Sequence, residues 1–166
     1  MPDTHPTTQQ QFEQVMANCR ELFCKKLHDY GTAWRIMRPE SLTDQIFIKA
    51  DRIRSIQMKG KAMVDEGIVP EFVAIVNYAI IALIQLEHGA AQEADFNEEQ
   101  AQAAYDKYAK ECLELMLRKN HDYDEAWRGM RVSSYVDLIL MKILRTKQIE
   151  DLEGQTLVSE GVAANY

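Results

Sequence analysis

The sequence contains few cysteines, and their spacing matches no common disulfide or metal framework. Cys19, Cys24 and Cys112 are the only three in 166 residues, and no two of them form a CxxC pair. An odd number of cysteines at these spacings argues against a disulfide scaffold and against a zinc site. We therefore expect a reducing compartment, in which the three thiols act as small buried apolar side chains.

Several signatures of enzyme and targeting classes are also missing. There is no Gly-rich phosphate loop, no HExxH helix and no Ser-His-Asp order to read. The N-terminus, MPDTHPTTQQQ, lacks the basic region and apolar run of a signal peptide. The net charge of −7 argues against general electrostatic binding to nucleic acid or to an anionic membrane. The expectation is a cytoplasmic protein in which any anion site is local.

Long apolar runs are nearly absent, and the longest is FVAIVNYAIIALIQL at residues 72–86. A helix needs about 20 such residues to span a bilayer, and this run is shorter and contains an Asn and a Gln. Because it is apolar on all sides, it predicts a buried helix surrounded by other helices and no membrane contact. Pro70 and Glu71 suit its first turn, and Gly89 suits its end.

Helical periodicity covers most of the remaining chain. Apolar residues recur every three or four positions in four further stripes, which run from Phe12 to Phe23, from Ile46 to Ile56, from Tyr105 to Met116 and from Leu138 to Leu144. No segment shows the convincing alternation of a strand. A chain of this length has room for one well-buried core. We therefore predict a single all-α domain.

The chain contains an internal duplication. Residues 28–57 align without a gap on residues 121–150, at an offset of 93, and 14 of the 30 pairs are identical. We predict repeat one at residues 10–89, a linker at 90–98 and repeat two at 99–166, arranged as an internal pseudo-dimer. In the register that aligns VSEG with VDEG, the final residue Tyr166 falls opposite Phe72. We therefore expect repeat two to be incomplete and to lack its last helix.

The identities between the copies are mostly polar, whereas interior pairs such as Phe47 and Leu140 differ. Both tryptophans, two of four histidines and six of nine arginines occupy matched positions. Guanidinium groups suit phosphate geometry, and buried charge pairs are a poor source of stability, so we interpret the matched cations as a phosphate clamp. The set comprises Arg35, Arg38, Lys49 and Arg52 in repeat one, and Arg128, Arg131, Lys142 and Arg145 in repeat two.

A structural interpretation of the matched residues stays open. The arginines could pair with neighbouring acids, and a His-Asp pair suits the end of a helix as well as an active site. Tryptophan usually contributes its large surface to packing. We therefore favour a packing role for Trp34 and Trp127.

One compound motif supports a family resemblance. The pattern K-x-H-D-Y-x-x-A-W-R starts at Lys26 and again at Lys119, and Ser-x-x-Asp and Lys-x-x-Arg follow it in each copy. On these residues the chain resembles the nucleotide modification associated domain family. The order of its motifs is similar, more remotely, to that of MazG-like all-α nucleoside triphosphate pyrophosphohydrolases. Together the resemblances imply a MazG-like helical bundle, a nucleotide or modified nucleotide as ligand, and Mg²⁺ as cofactor.

The resemblance also suggests roles for the matched residues. The hypothesis is a nucleotide-binding protein that acts as a pyrophosphohydrolase, in which a metal-activated water attacks a phosphoanhydride and a carboxylate serves as base. The catalytic candidates are Asp44, Asp137, His28 and His121. The metal candidates are Glu66 and Glu160. Substrate contacts come from the matched cations together with Asp29, Tyr30, Asp122 and Tyr123.

The alternative is a non-catalytic helical interaction module. MazG-like enzymes hold Mg²⁺ with acidic pairs on helices, but where that pattern places an aspartate just before Asn-Tyr, this chain has Ala74. The incomplete second repeat would also leave apolar residues partly uncovered. Either the sequence continues beyond Tyr166, or a second chain completes the half-fold in a homodimer.

Overall fold

The computed structural model describes residues 6–60, 67–155 and 161–166, and all regular secondary structure in these ranges is helical. The helices are α1 at Thr8–Tyr30, α2 at Pro39–Lys59, α3 at Val69–His88, α4 at Glu98–Tyr123, α5 at Val132–Asp151 and α6 at Val162–Asn165. Short 3₁₀ turns occupy Ala33–Ile36 and Ala126–Gly129. The all-α fold class is confirmed for this part of the chain.

The order of the elements repeats along the chain. Helix α1, the first 3₁₀ turn, α2 and α3 are followed by α4, the second 3₁₀ turn, α5 and the short α6. Equivalent helices of the two halves contact each other, because α1 packs against α4 and α2 packs against α5. Like surfaces therefore meet, as they do at the interface of a two-fold dimer.

Two clusters of buried side chains form the core. One cluster joins α1, α3 and α4 and includes Phe23, Ile81 and Tyr105. The other joins α2 to α5 and includes Ile53 and Ile143. Each fully buried aliphatic or aromatic side chain contributes about 1.5–3 kcal/mol relative to its exposed state. The two clusters therefore stabilise the bundle at both pairs of equivalent helices.

Helix α3 is the apolar helix that the sequence predicted, but other helices surround it only in part, because 39% of its most apolar window is buried. It is long and apolar enough to cross a membrane by length and composition, but it contacts α1, α2 and α4 within the bundle. Pro70 lies in its first turn, where a missing N–H costs nothing. Gly89 ends the helix at φ 76°, and its N–H donates to the Gln85 carbonyl at 2.7 Å.

Some members of the apolar stripes are not buried as their periodicity indicated. Val15 on α1 and Leu138 and Leu144 on α5 are exposed, because no described helix packs against the faces on which they lie. The three cysteines are unpaired, as expected, although only Cys19 is fully buried. Periodicity therefore identified the helices correctly and overestimated how much of each stripe is covered.

Candidate functional site

The four matched cations of repeat one do not converge on one site. Arg35 lies inside the bundle, and Arg38 is exposed at the N-terminus of α2. Lys49 and Arg52 lie together, one turn apart, farther along α2. Only the last two share a partner, so they are the part of the predicted phosphate clamp that the structure brings together.

Arg35 is enclosed by protein groups. It is 3% exposed, and its Nε donates to Asp95 Oδ1 at 2.8 Å. Its Nη1 donates to the Gly89 carbonyl at 2.9 Å and also to Gln85 Oε1, and the guanidinium lies 4.5 Å from the centre of the Phe96 ring. The hydrogen bond from Arg35 lowers the pKa of Asp95. A phosphate-binding role for Arg35 does not fit this arrangement, because these partners already surround the guanidinium.

Gln85 completes the structure around Arg35, and its only distinguishing feature in the sequence is an amide inside an apolar helix. Its side chain is fully buried, and Nε2 donates to the carbonyl oxygens of Arg35 at 2.8 Å and Met37 at 2.6 Å, with a longer contact of 3.3 Å to that of Trp34. A single amide thus fixes the first 3₁₀ turn against α3. This fixed turn forms one wall of an open groove.

That groove, called groove one here, lies between the end of α1, the first 3₁₀ turn and α3. Its volume is about 360 Å³, within the range of small-molecule sites. Tyr30, Trp34 and Tyr78 provide aromatic walls, and Lys26 and Asn77 are its main polar side chains. Tyr30 was predicted from the repeat, whereas the other α3 residues required knowledge of which helices meet.

Residues outside groove one fix two of its wall side chains, Trp34 and Asn77, by packing and hydrogen bonds. The Trp34 ring packs near Phe23 and against the edge of Phe96, with centroid distances of 6.2 and 6.1 Å. Asn77 Nδ2 donates to the Cys19 carbonyl at 3.1 Å, and Asn77 Oδ1 accepts from the Tyr105 hydroxyl at 2.8 Å. Trp34 therefore has the packing role that the sequence favoured, while its ring also borders the groove.

Lys49 and Arg52 form a pair of cations around Glu71, a residue on the same helix as one wall of groove one. Arg52 Nη1 is 2.8 Å from Glu71 Oε1, and Lys49 Nζ is 3.4 Å from Glu71 Oε2. The Glu71 carboxylate is buried, whereas the two cations are partly exposed. Ala74, which lines groove one, follows Glu71 by three positions and therefore lies on the same side of α3, one turn away. Lys49, Arg52 and Glu71 together carry two positive charges and one negative charge, so the group has a net charge of about +1.

The predicted catalytic residues lie at exposed positions. His28 and Asp29 contact each other at 3.1 Å near the end of α1, and this hydrogen bond raises the pKa of His28. Asp44 is exposed on α2. The matched residues behave alike: His121 and Asp122 are exposed near the end of α4, and Asp137 is exposed on α5.

The described side chains do not form the predicted magnesium site. Glu66 and Glu160 lie outside the described residues. Within residues 6–60, 67–155 and 161–166, no three His, Cys, Asp or Glu side chains form a group able to hold a metal ion. Glu71, the acid in the first turn of α3, faces Lys49 and Arg52, which already neutralise it. These residues do not fit a magnesium site.

The resemblance to the nucleotide modification associated domain family is confirmed by a family model. The sequence model of the nucleotide modification associated domain 1 family matches residues 26–86 and 119–166. The chain belongs to this family. Each matched segment contains one copy of the motif, which confirms the tandem form of this domain that the sequence predicted. No curated protein and no solved structure matches the chain.

The two nucleotide modification associated domain segments differ in how they hold their matched cations. Arg128, the counterpart of Arg35, keeps 36% of its side chain exposed, donates to Glu125 Oε2 at 2.9 Å and stacks on the Trp127 ring. Tyr123, the counterpart of Tyr30, is likewise exposed. Arg131 is exposed at the N-terminus of α5, and Lys142 and Arg145 are partly buried along it.

Proposed function

We propose that this protein binds a nucleoside phosphate through repeat one. The nucleobase would lie in groove one, and the phosphates would extend toward Lys49 and Arg52. The observation that supports this proposal most strongly is an aromatic groove of small-ligand size whose wall includes Ala74, one helical turn from Glu71, the residue that both cations contact. The description of the family, a domain associated with nucleotide modification, supports the same class of ligand.

The aromatic walls favour a flat ring as the ligand. Tyr30 is 74% exposed at the mouth of groove one, so its ring is accessible for stacking. Stacking of a base on an aromatic side chain contributes about 1–3 kcal/mol, and it does so for every base because all have a π-face. Groove one therefore supports nucleobase binding without indicating which base is preferred.

The cation pair favours an anionic group at the α2 side of the groove. In a chain with a net charge of −7, Lys49 and Arg52 form a local positive excess. Their contacts with buried Glu71 hold both side chains in place, which lowers the entropy lost when they contact a ligand. Charge-assisted hydrogen bonds to phosphate oxygens are stronger than neutral ones. The pair thus suits a phosphate rather than an uncharged nucleoside.

Nucleotide binding has more support than nucleotide hydrolysis. A Mg²⁺-dependent pyrophosphohydrolase needs several oxygen ligands on its ion. Glu71 is paired with two cations instead, and Asp44 lies apart as an exposed residue on α2. We therefore propose a binding function for groove one, and we leave hydrolysis as a prediction that depends on Glu66.

Calorimetric titration with a panel of canonical and modified deoxynucleoside mono- and triphosphates tests this proposal. We expect saturable binding that Tyr30→Ala weakens roughly tenfold or more, because a lost base stack costs about 1–3 kcal/mol. Tyr123→Ala is the matched control, because Tyr123 is 70% exposed at the same position of repeat two. We expect this control to bind as the wild type does.

Two outcomes of that titration would refute the proposal. The first is the absence of binding to every nucleotide of the panel, with and without Mg²⁺. The second is an equal loss of affinity in Tyr30→Ala and Tyr123→Ala, because groove one would then have no special role.

A further inference from the structure

Repeat two carries an open apolar groove, called groove two here, between the N-terminal half of α1 and the C-terminal half of α4. Its volume is about 580 Å³, larger than that of groove one. Phe12 and Val15 on α1 and Leu115 and Met116 on α4 provide its apolar walls, and Trp127 closes one end. This is an exposed apolar surface of the kind that binds a partner.

The internal repeat shows what covers the equivalent surface in repeat one. At the offset of 93, Phe12 and Val15 correspond to Tyr105 and Tyr108 of α4. These two tyrosines are buried in the core cluster that contains α3, and the Tyr105 hydroxyl donates to Asn77 of α3. Val15 is 53% exposed, whereas Tyr108 is 9% exposed. The exposures differ because α3 covers Tyr108, whereas Val15 lies in the open groove two.

Groove two is continuous with an interface that the structure already contains. Helix α6 packs against α5, as α3 packs against α2. Tyr166, the residue directly after α6, lines groove two and also contacts both core clusters. The short α6 thus occupies the place of the first turn of α3, and groove two begins where the rest of such a helix would lie.

Polar atoms beside groove two lack partners in the described part of the chain. Gln11 Oε1 on α1 and Asn120 Oδ1 on α4 are buried and accept no hydrogen bond there. Both residues line groove two. A buried acceptor without a partner costs about 1–3 kcal/mol. Either amide could recover this cost by turning toward the groove and accepting a hydrogen bond from an occupant.

We propose that groove two is the docking site for an apolar helix with the side-chain pattern of α3 beyond its first turn. This occupant is about four turns long, apolar on most of its surface, and carries an amide side chain where α3 carries Gln85. In repeat one that amide binds the Arg35 and Met37 carbonyls. In repeat two the matched carbonyls belong to Arg128 and Met130 of the second 3₁₀ turn. The bound helix would complete repeat two.

A second copy of the chain is a poorer occupant. The helix with the required pattern, α3, is enclosed by α1, α2 and α4 of its own chain. It could reach the groove of another copy only by leaving its own core, which contains Ile80, Ile81 and Ile84. The loss of that burial would cost several kcal/mol. The occupant is therefore a helix other than α3 of a neighbouring copy.

The test uses a fluorescent peptide with the sequence of residues 73–88, flanked by lysines for solubility, titrated with the protein and followed by anisotropy. We expect saturable binding that Val15→Asp weakens at least tenfold. Ile48→Asp is the matched control, because Ile48 is 52% exposed on α2 and does not line groove two. It should bind the peptide as the wild type does. A peptide in which leucine replaces the glutamine equivalent to Gln85 should bind more weakly.

Three results would overturn the proposal. One is a failure of the wild type to bind the peptide. Another is binding that Val15→Asp and Ile48→Asp change equally. The last is a dimer of the wild type that Val15→Asp dissociates and that the peptide does not displace, because a second copy would then be the occupant of groove two.

Discussion

Arg35 and Arg128 are the same residue in the two copies of one motif, yet their surroundings differ. Arg35 is held by Asp95, Gln85 and Gly89, which all follow it by at least 50 residues. Arg128 contacts Glu125, three residues away, donates more weakly to Thr8 and the Pro6 carbonyl at 3.3 Å, and stays partly exposed. The sequence identified both positions as important. It could not assign Arg35 to the interior, because its partners are brought close only by the packing of α3.

Replacing the two arginines by glutamine should separate these roles. We expect Arg35→Gln to reduce the free energy of unfolding by roughly 2–4 kcal/mol, because buried acceptors lose a charged partner. Arg128→Gln should cost less than about 1 kcal/mol, since exposed pairs contribute little. Urea denaturation of both variants measures the difference. Equal losses would contradict a structural role that is specific to Arg35.

Glu150 provides a second prediction at this scale. Its carboxylate accepts from the Thr43 hydroxyl at 2.6 Å and contacts the Tyr166 hydroxyl at 3.3 Å. Burial raises the pKa of Glu150, and the nearby carboxylates of Glu40 and Asp44 raise it further. A raised pKa means that the folded protein holds this proton more tightly than the unfolded chain does. The stability contributed by Glu150 therefore falls as the pH rises from its ordinary pKa through the raised one.

Glu150→Gln should remove this pH dependence. Position 57, the counterpart in repeat one, is already a glutamine. We expect the melting temperature of the variant to rise relative to that of the wild type between pH 4 and pH 7, because the wild type must ionise a buried carboxyl. Thermal melts of both proteins across this range provide the measurement. If the difference in melting temperature between variant and wild type is the same at every pH, Glu150 does not titrate in this way.

At the scale of the elements, α3 was the most predictable part of the fold. Its apolar run, Pro70 and Gly89 marked the helix and its ends in the sequence. The exposed Val15 was less predictable, because periodicity shows which face a helix would bury and not whether another helix covers that face. Groove one could not be predicted either, since it forms only where the end of α1 meets α3.

Gln85 tests how α3 holds the first 3₁₀ turn. We expect Gln85→Leu to reduce the free energy of unfolding by about 1–3 kcal/mol, because it leaves buried carbonyl groups without their donor. Gln14→Leu is the control, since Gln14 is exposed on α1, and it should cost less than about 0.5 kcal/mol. Chemical denaturation compares the two. An unchanged stability of Gln85→Leu would show that the amide does not fix the turn.

At the scale of the whole molecule, α3 covers a surface of repeat one whose equivalent in repeat two is open among the described residues. The equivalent helices pair as in a symmetric dimer, so the same groove occurs twice. In repeat one α3 narrows the groove and adds Glu71 beside Lys49 and Arg52. In repeat two the groove stays wide and apolar. The two surfaces therefore differ, and we propose different partners for them, a small anionic ligand for groove one and a helix for groove two.

Nucleotide binding by groove one is the central claim, and the intrinsic fluorescence of Trp34 tests it most directly. The chain has two tryptophans, so Trp127→Phe leaves Trp34 as the only reporter. Titration of this variant with deoxynucleoside triphosphates should give a saturable change in emission, and Lys49→Gln should shift its midpoint to higher nucleotide concentration. An unchanged Trp34 emission, or the same change reported by Trp127 in a Trp34→Phe variant, would contradict the assignment of groove one as the nucleotide site.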